Sequence, residues 1–313
     1  MKPSGVLTAA LALVACAGMA CGSAHAQSVP PVEIAQLPYM EIFSPTFFWS
    51  DEVDAIRTGA TTCPKGRAIT GGISITQGAA SLRIIESYPD GESWVIRAVN
   101  RKKPDSVKSL QVRGFSLCML PAARKASVLM DQFTRLSFVS ERFTVPTGFV
   151  STAGRQACPQ GGLVVSGGFG LDPAFKGPSN LRMELSYPDP NGWNVRGVNG
   201  APGTGAADAR VHAVCLGTKE GVDIRGYKNV YFAEATVTVK ADQGFVRQSV
   251  NCQEQGSYVL AGGMRTARGR SASLEMQESF PDSPSSWTIG VINRDDKKAG
   301  DVTTKLYAVC IKK

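Results

Sequence analysis

The sequence predicts an all-β protein made of three tandem, disulfide-stapled β-sandwich or barrel-like units, and three observations carry that prediction. One unit is written three times: Cys63-Pro64-Lys65-Gly66, Cys158-Pro159-Gln160-Gly161 and the looser Cys252-Gln253-Glu254-Gln255-Gly256 open it at nearly equal intervals. Each opening leads through a double glycine, a Tyr/Phe-Pro-Asp sequence and a Trp run to a second cysteine. The runs between these landmarks are short, β-branched and aromatic, and Gly, Pro and Asp punctuate them; no segment sustains a helical period. Lastly, the cysteines outside the N-terminal segment fall two to a unit, as a stapled small domain requires.

In chain order, residues 1–26 read as a secretory leader, with Lys2, an apolar run from Val6 to Val14 and Ala24-His25-Ala26 as the cleavage site. This implies a secreted or periplasmic protein. The alternative is Leu13-Val14-Ala15-Cys16 read as a lipobox, which anchors the chain through a lipid on Cys16. No later apolar run approaches the ~20 residues of a transmembrane helix. The units span residues 27–121, 122–217 and 218–313. In the middle unit the expected strands are Gly148–Ala153, Leu163–Phe169, Leu181–Leu185, Trp193–Asn199 and Val211–Leu216, with counterparts in the others. The joining stretches Phe133–Phe149 and Tyr227–Phe245 are themselves strand-like, so the units are expected to pack closely about a pseudo-threefold axis.

Six cysteines allow 15 pairings. A repeat with two cysteines per unit selects Cys63–Cys118, Cys158–Cys215 and Cys252–Cys310. Each closure restricts the unfolded chain by about 4 kcal/mol, a useful amount for units with modest cores.

Trp94, Trp193 and Trp287 invite a sugar-stacking reading, but counting by twos gives Ile96 and Ala98, Val195 and Gly197, and Ile289 and Val291 on the same strand face. That face is apolar, so the Trp side chains belong to the core. Asn100, Asn199 and Asn293 close the same strands and are expected to tie down the following turn. Tyr88-Pro89-Asp90, Tyr187-Pro188-Asp189 and Phe280-Pro281-Asp282 read as turns, with Asp90, Asp189 and Asp282 as the alternative sugar-hydroxyl acceptors. Gly71-Gly72, Gly167-Gly168 and Gly262-Gly263 lack the Gly-Lys-Ser/Thr of a phosphate loop and mark close backbone approach between units.

Enzymatic readings find little support. Beyond the leader the only histidine is His212, at the position of Phe115 and Tyr307, which makes it an aromatic packing residue. Glu86 and Glu278 precede the Tyr/Phe-Pro sequence, yet Leu185 stands there in the middle unit, which argues against a repeated two-carboxylate hydrolase. With the cysteines paired, neither a metal nor a cofactor is expected. The net charge of +8 is mild. Arg101-Lys102-Lys103, Arg294 with Lys297-Lys298, and Arg265, Arg268 and Arg270 form basic clusters, read either as charged hairpin tips or as a patch for an anionic polymer.

The Cys-Pro-x-Gly, Gly-Gly, Tyr-Pro, Trp and Val-Cys series resembles a repeat of exported bacterial proteins with no assigned activity. The resemblance implies a disulfide-bonded β module and transfers no site residue. The resulting expectation is a non-enzymatic exported protein that binds a cell-surface or extracellular ligand such as a carbohydrate or anionic cell-surface polymer; nucleic acid is not expected, and oligomerisation stays open. The alternatives are a structural or envelope-associated repeat protein and, with least support, a carboxylate-based hydrolase.

Overall fold

The computed structural model describes residues 36–37, 40–50, 56–77, 82–100, 109–119, 135–148, 151–171, 181–200, 205–217, 229–241, 245–266, 274–293 and 300–312. The basic positions Arg101, Lys102, Lys103, Arg268, Arg270, Arg294, Lys297 and Lys298, and residues 1–26, expected to be a leader, lie outside them. Almost everything described is strand. The first unit contributes β1 (Gln36–Leu37), β2 (Met40–Phe43), β3 (Thr46–Ser50), β4 (Ile56–Thr62), β5 (Arg67–Gln77), β6 (Leu82–Asp90), β7 (Ser93–Asn100) and β8 (Ser109–Met119). The second contributes β9 (Arg135–Val145), β10 (Ser151–Ala157), β11 (Leu163–Leu171), β12 (Leu181–Asp189), β13 (Gly192–Asn199) and β14 (Ala207–Gly217). The third contributes β15 (Val230–Val239), β16 (Phe245–Asn251), β17 (Tyr258–Thr266), β18 (Leu274–Ser283), β19 (Ser286–Asn293) and β20 (Val302–Ile311).

These strands form three open, antiparallel sheets, and no sheet belongs to one unit. Sheet I runs β1-β2-β8-β5-β18-β19-β16, with β3 also on β8; sheet II runs β4-β7-β6-β11-β14-β9; sheet III runs β10-β13-β12-β17-β20-β15. Each unit therefore splits its strands between two sheets, and the two halves face each other: β10 packs on β9 and β14, and β11 on β12 and β13. A unit is a two-layer sandwich, and the barrel alternative is excluded because the sheets stay open. The disulfides cross the layers. Cys63–Cys118 joins sheets II and I, Cys158–Cys215 joins III and II, and Cys252–Cys310 joins I and III. Three disulfides fit an oxidising compartment outside the cytoplasm. No helix among the described residues is long and apolar enough to cross a membrane.

Sequence and structure differ locally in two respects. The strand expected at Gly148–Ala153 is β10, Ser151–Ala157; Gly148 lies outside it with φ +92°. The Tyr/Phe-Pro-Asp sequences are strand, not turn: Pro89 faces Trp94 and Pro188 faces Trp193 across the hairpin. Proline is tolerated there because the far side of β6 and β12 is unpaired beyond a single bridge. The turns themselves are Gly91-Glu92 and Pro190-Asn191.

Neighbouring units meet at one register pair per sheet: Phe169↔Ser87 in II, Ser186↔Met264 in III and Ser279↔Ile73 in I. The double glycines create these seams. A Cβ on Gly71, Gly167 or Gly262 would run into the ring of Trp94, Trp193 or Trp287 of the same unit. A Cβ on Gly72, Gly168 or Gly263 would overlap the carbonyl oxygen of Ser279, Ser87 or Ser186 of the neighbouring unit. One glycine thus admits the Trp and the next admits the neighbour's backbone. Each Trp is 1% exposed, as strand parity predicts, and its Nε1–H donates to the Oγ of Ser87 (2.9 Å), Ser186 (2.9 Å) or Ser279 (2.8 Å). Every indole is thereby buried with its polar atom satisfied. The seams close in a ring around a small axial cavity lined by Gly72, Gly168, Phe169, Met276 and the three serines.

Candidate functional site

Strands β6, β12 and β18, one from each sheet, pack against one another at the axis. At each seam the inner face of the sheet is core, and the outer face, shared by two units, is hereafter a groove.

Strand alternation decides what reaches the floor. On β6, Ser87 points inward to its Trp, so Tyr88 and, beyond a bulge between Ile84 and Glu86, Glu86 point outward. Each groove has a stacked aromatic pair made from two units: Tyr88 on His212 in sheet II (centroids 5.0 Å), Tyr187 on Tyr307 in sheet III (5.8 Å) and Phe280 on Phe115 in sheet I (5.2 Å). Tyr88, Tyr187 and Phe280 are partly exposed. His212 is the packing residue its alignment with Phe115 and Tyr307 implies. Burial and the nearby Arg210 charge lower its pKa from 6.5 to about 4, so the imidazole is neutral at physiological pH.

Beside each stack lies a buried carboxylate paired with a guanidinium. Glu86 pairs with Arg97, Glu184 with Arg196 (3.2 Å) and Glu278 with Arg247 (2.5 Å). These glutamates are at most 1% exposed. The asymmetry that Leu185 creates in sequence disappears in space, because β12 bulges between Met183 and Leu185 and Glu184 supplies the acid. The guanidinium is likewise relocated in the third unit. Arg97 and Arg196 sit on the Trp strand, where that unit has Gly290; Arg247, directly across from Gly290 on β16, reaches Glu278 instead. Burial raises the Glu86 pKa, an effect only partly offset by Arg97 and by the hydrogen bond from the Leu171 backbone. Glu278 accepts from the Ile75 N–H in the same way, so these acids also fasten the neighbouring strand at the seam.

The positions singled out by sequence scatter. Asp189 is partly desolvated, which raises its pKa, but hydrogen bonds from Arg155, Asn194 and the Asn191 N–H hold it below the usual range. It braces its own hairpin and an ion pair to Arg155 (3.0 Å). Asp282 accepts from Ser249 (2.9 Å) and Thr288 (2.7 Å), and Asp90 ends β6, exposed. Each lies in a different hairpin, so they do not form one site. Asn199 and Asn293 donate to the carbonyls of Gly205 (3.1 Å) and Gly300 (3.2 Å) and so close the loops after their strands.

Arg265 does reach a groove: it is exposed, lies over the Tyr187 ring at 5.3 Å and hydrogen-bonds the Tyr307 side chain. The aromatic stacks are what sequence reasoning missed. Their signal was present in the alignment of Phe115, His212 and Tyr307, but their partners come from another unit. Among the described residues, no group of three or more His, Cys, Asp and Glu side chains is placed to hold a metal ion. No protein-family model matches the chain, and a search of curated proteins finds no match.

Proposed function

We propose that this chain is an exported, secreted or periplasmic, non-enzymatic binding protein whose grooves recognise a carbohydrate of a cell surface or extracellular polymer. The observation that carries this reading is the recurrence, in every groove, of a partly exposed aromatic ring stacked on a ring of the neighbouring unit and next to a guanidinium. A ring held from below presents a fixed apolar face to a pyranose, and arginine supplies a planar fork of donors to hydroxyl or anionic groups. Three such grooves on one rigid body favour a repetitive polymer, since simultaneous engagement adds avidity.

Binding without turnover is supported by the state of the ionisable groups. The buried glutamates are coupled to arginines, which stay protonated and act as neither acid nor base at neutral pH. His212 is stacked and neutral, with no nucleophile beside it among the contacts described.

A glycan array probed at low and high salt tests the proposal, with Tyr88→Ala, Tyr187→Ala and Phe280→Ala compared with the parent protein. The expected result is retention on at least one glycan class, weakened about tenfold by loss of a stacking ring, with circular dichroism spectra that match the parent. Failure to bind any glycan, together with a lipid on Cys16 detected by mass spectrometry, would replace it with an envelope-anchored structural role.

A further inference from the structure

We infer that the groove of sheet III, between the second and third units, is specialised for an acidic sugar, and that Arg265 is the group that reads its negative charge. The inference rests on the carbohydrate-binding reading above and adds which groove acts and what distinguishes its ligand.

The three grooves share a frame but differ where a ligand would touch. The position of Arg265 on β17 is held by Gly170 on β11 and Ser74 on β5. In sheet II that place is closed: a Cβ on Gly170 would already meet the Tyr88 ring at 3.1 Å and His212 Nε2 at 3.2 Å. In sheet III the same place carries an exposed guanidinium fixed over Tyr187 and bonded to Tyr307. Among the described residues, the other cations near this groove are committed. Arg196 pairs with Glu184 at 3.2 Å, Arg155 with Asp189 at 3.0 Å and Lys305 with Glu234 at 2.8 Å. No ion pair joins Arg265 to a carboxylate among the described residues; its neighbours are the phenols of Tyr187 and Tyr307 and, directly across the strand pair, the cation Lys305.

A cation held on a ring face, without an acid partner, keeps its remaining N–H donors for an incoming anion, and a guanidinium takes a carboxylate or sulfate in two parallel bonds. The partly exposed Tyr187 phenol adds a donor and an acceptor suited to ring hydroxyls. Neither other stack offers this set, since one pairs Tyr88 with His212 and the other pairs two phenylalanines. The shared chemistry is a pyranose bearing one anionic group, carboxylate or sulfate.

Calorimetric titration of the full chain with a galacturonate oligomer, its methyl ester, a sulfated galactan oligomer and free sulfate tests the assignment. The parent is expected to bind one of the two acidic oligomers, to bind the methyl ester at least tenfold more weakly, and to ignore free sulfate. Arg265→Gly is expected to lose about tenfold or more for the acidic oligomer, Arg265→Lys to recover part of it, and Lys65→Ala, on a distant exposed loop, to change nothing. Circular dichroism of Arg265→Gly should match the parent. If the protein binds sugars but Arg265→Gly binds the acidic oligomer as the parent does, the assignment of this groove falls and the carbohydrate reading stands. If no sugar binds, or a single-stranded oligonucleotide binds better than every saccharide, both fall.

Discussion

His212 shows how one residue can change chemical class without changing its job. It stacks on Tyr88 as Phe115 stacks on Phe280 and Tyr307 on Tyr187, so packing, not proton transfer, selected an aromatic ring there. Its titration nevertheless has a consequence. The folded pKa, about 4, lies below the ordinary 6.5, so between these values the unfolded chain binds the extra proton and stability falls as pH falls. The full contribution is present above pH 6.5 and is lost on acidification toward pH 4. The loss attributable to this residue is about 3 kcal/mol at most. His212→Phe is expected to remove that part of the pH dependence. The check is the difference in urea midpoint between parent and variant across pH 4 to 7, which should shrink toward neutral pH; a constant difference would show that His212 is not buried neutral.

At the scale of elements, the relocated arginine is the most instructive feature. Arg97 and Arg196 reach their glutamates from the Trp strand, whereas the third unit has Gly290 there and takes Arg247 from the strand opposite. Antiparallel pairing allows the exchange, because directly opposed side chains on one face of a sheet occupy neighbouring space. Arg247→Ala leaves Glu278 fully buried without its counter-charge and is expected to cost about 3 kcal/mol. Returning the arginine to the Trp strand requires room, since a Cβ on Gly290 would meet the Phe245 ring at 2.5 Å. The second unit has Ser151 at the position of Phe245. The triple variant Arg247→Ala, Gly290→Arg, Phe245→Ser is therefore expected to recover more than half of the loss in thermal or chemical unfolding. No recovery would mean that Arg247 acts through its contact with the Ile75 carbonyl (2.9 Å) and not through Glu278.

Across the whole molecule, shared sheets change what a unit is. Each sandwich is closed covalently by its own disulfide, yet part of every sheet it uses belongs to a neighbour. Excising residues 122–217 would expose the seam edges of β11 and β12, and exposed edges pair with whatever strand is available. The intact chain is accordingly expected to melt in one transition, with calorimetric and van't Hoff enthalpies in agreement. The excised segment is expected to be unfolded or associated by light scattering. Three separate transitions in the full chain would show that the seams carry little of its stability.

Much of this was legible in the residues themselves. The cysteine spacing fixed three local bridges, strand parity put Trp94, Trp193 and Trp287 inside, and the double glycines marked the approach of one unit to the next. Such features are legible because they obey short-range rules: alternation along a strand, two cysteines per repeat, no Cβ where backbones touch. Only the tertiary structure decided that each sheet is shared between units, that Glu184 stands in for the acid missing at Leu185, and that the groove floors are built from rings of two units. Those outcomes depend on bulges and seam pairings between residues far apart in the chain, and a bulge that shifts register by one place reverses which face a side chain serves. Periodicity within a single strand holds no information about which strand will lie beside it.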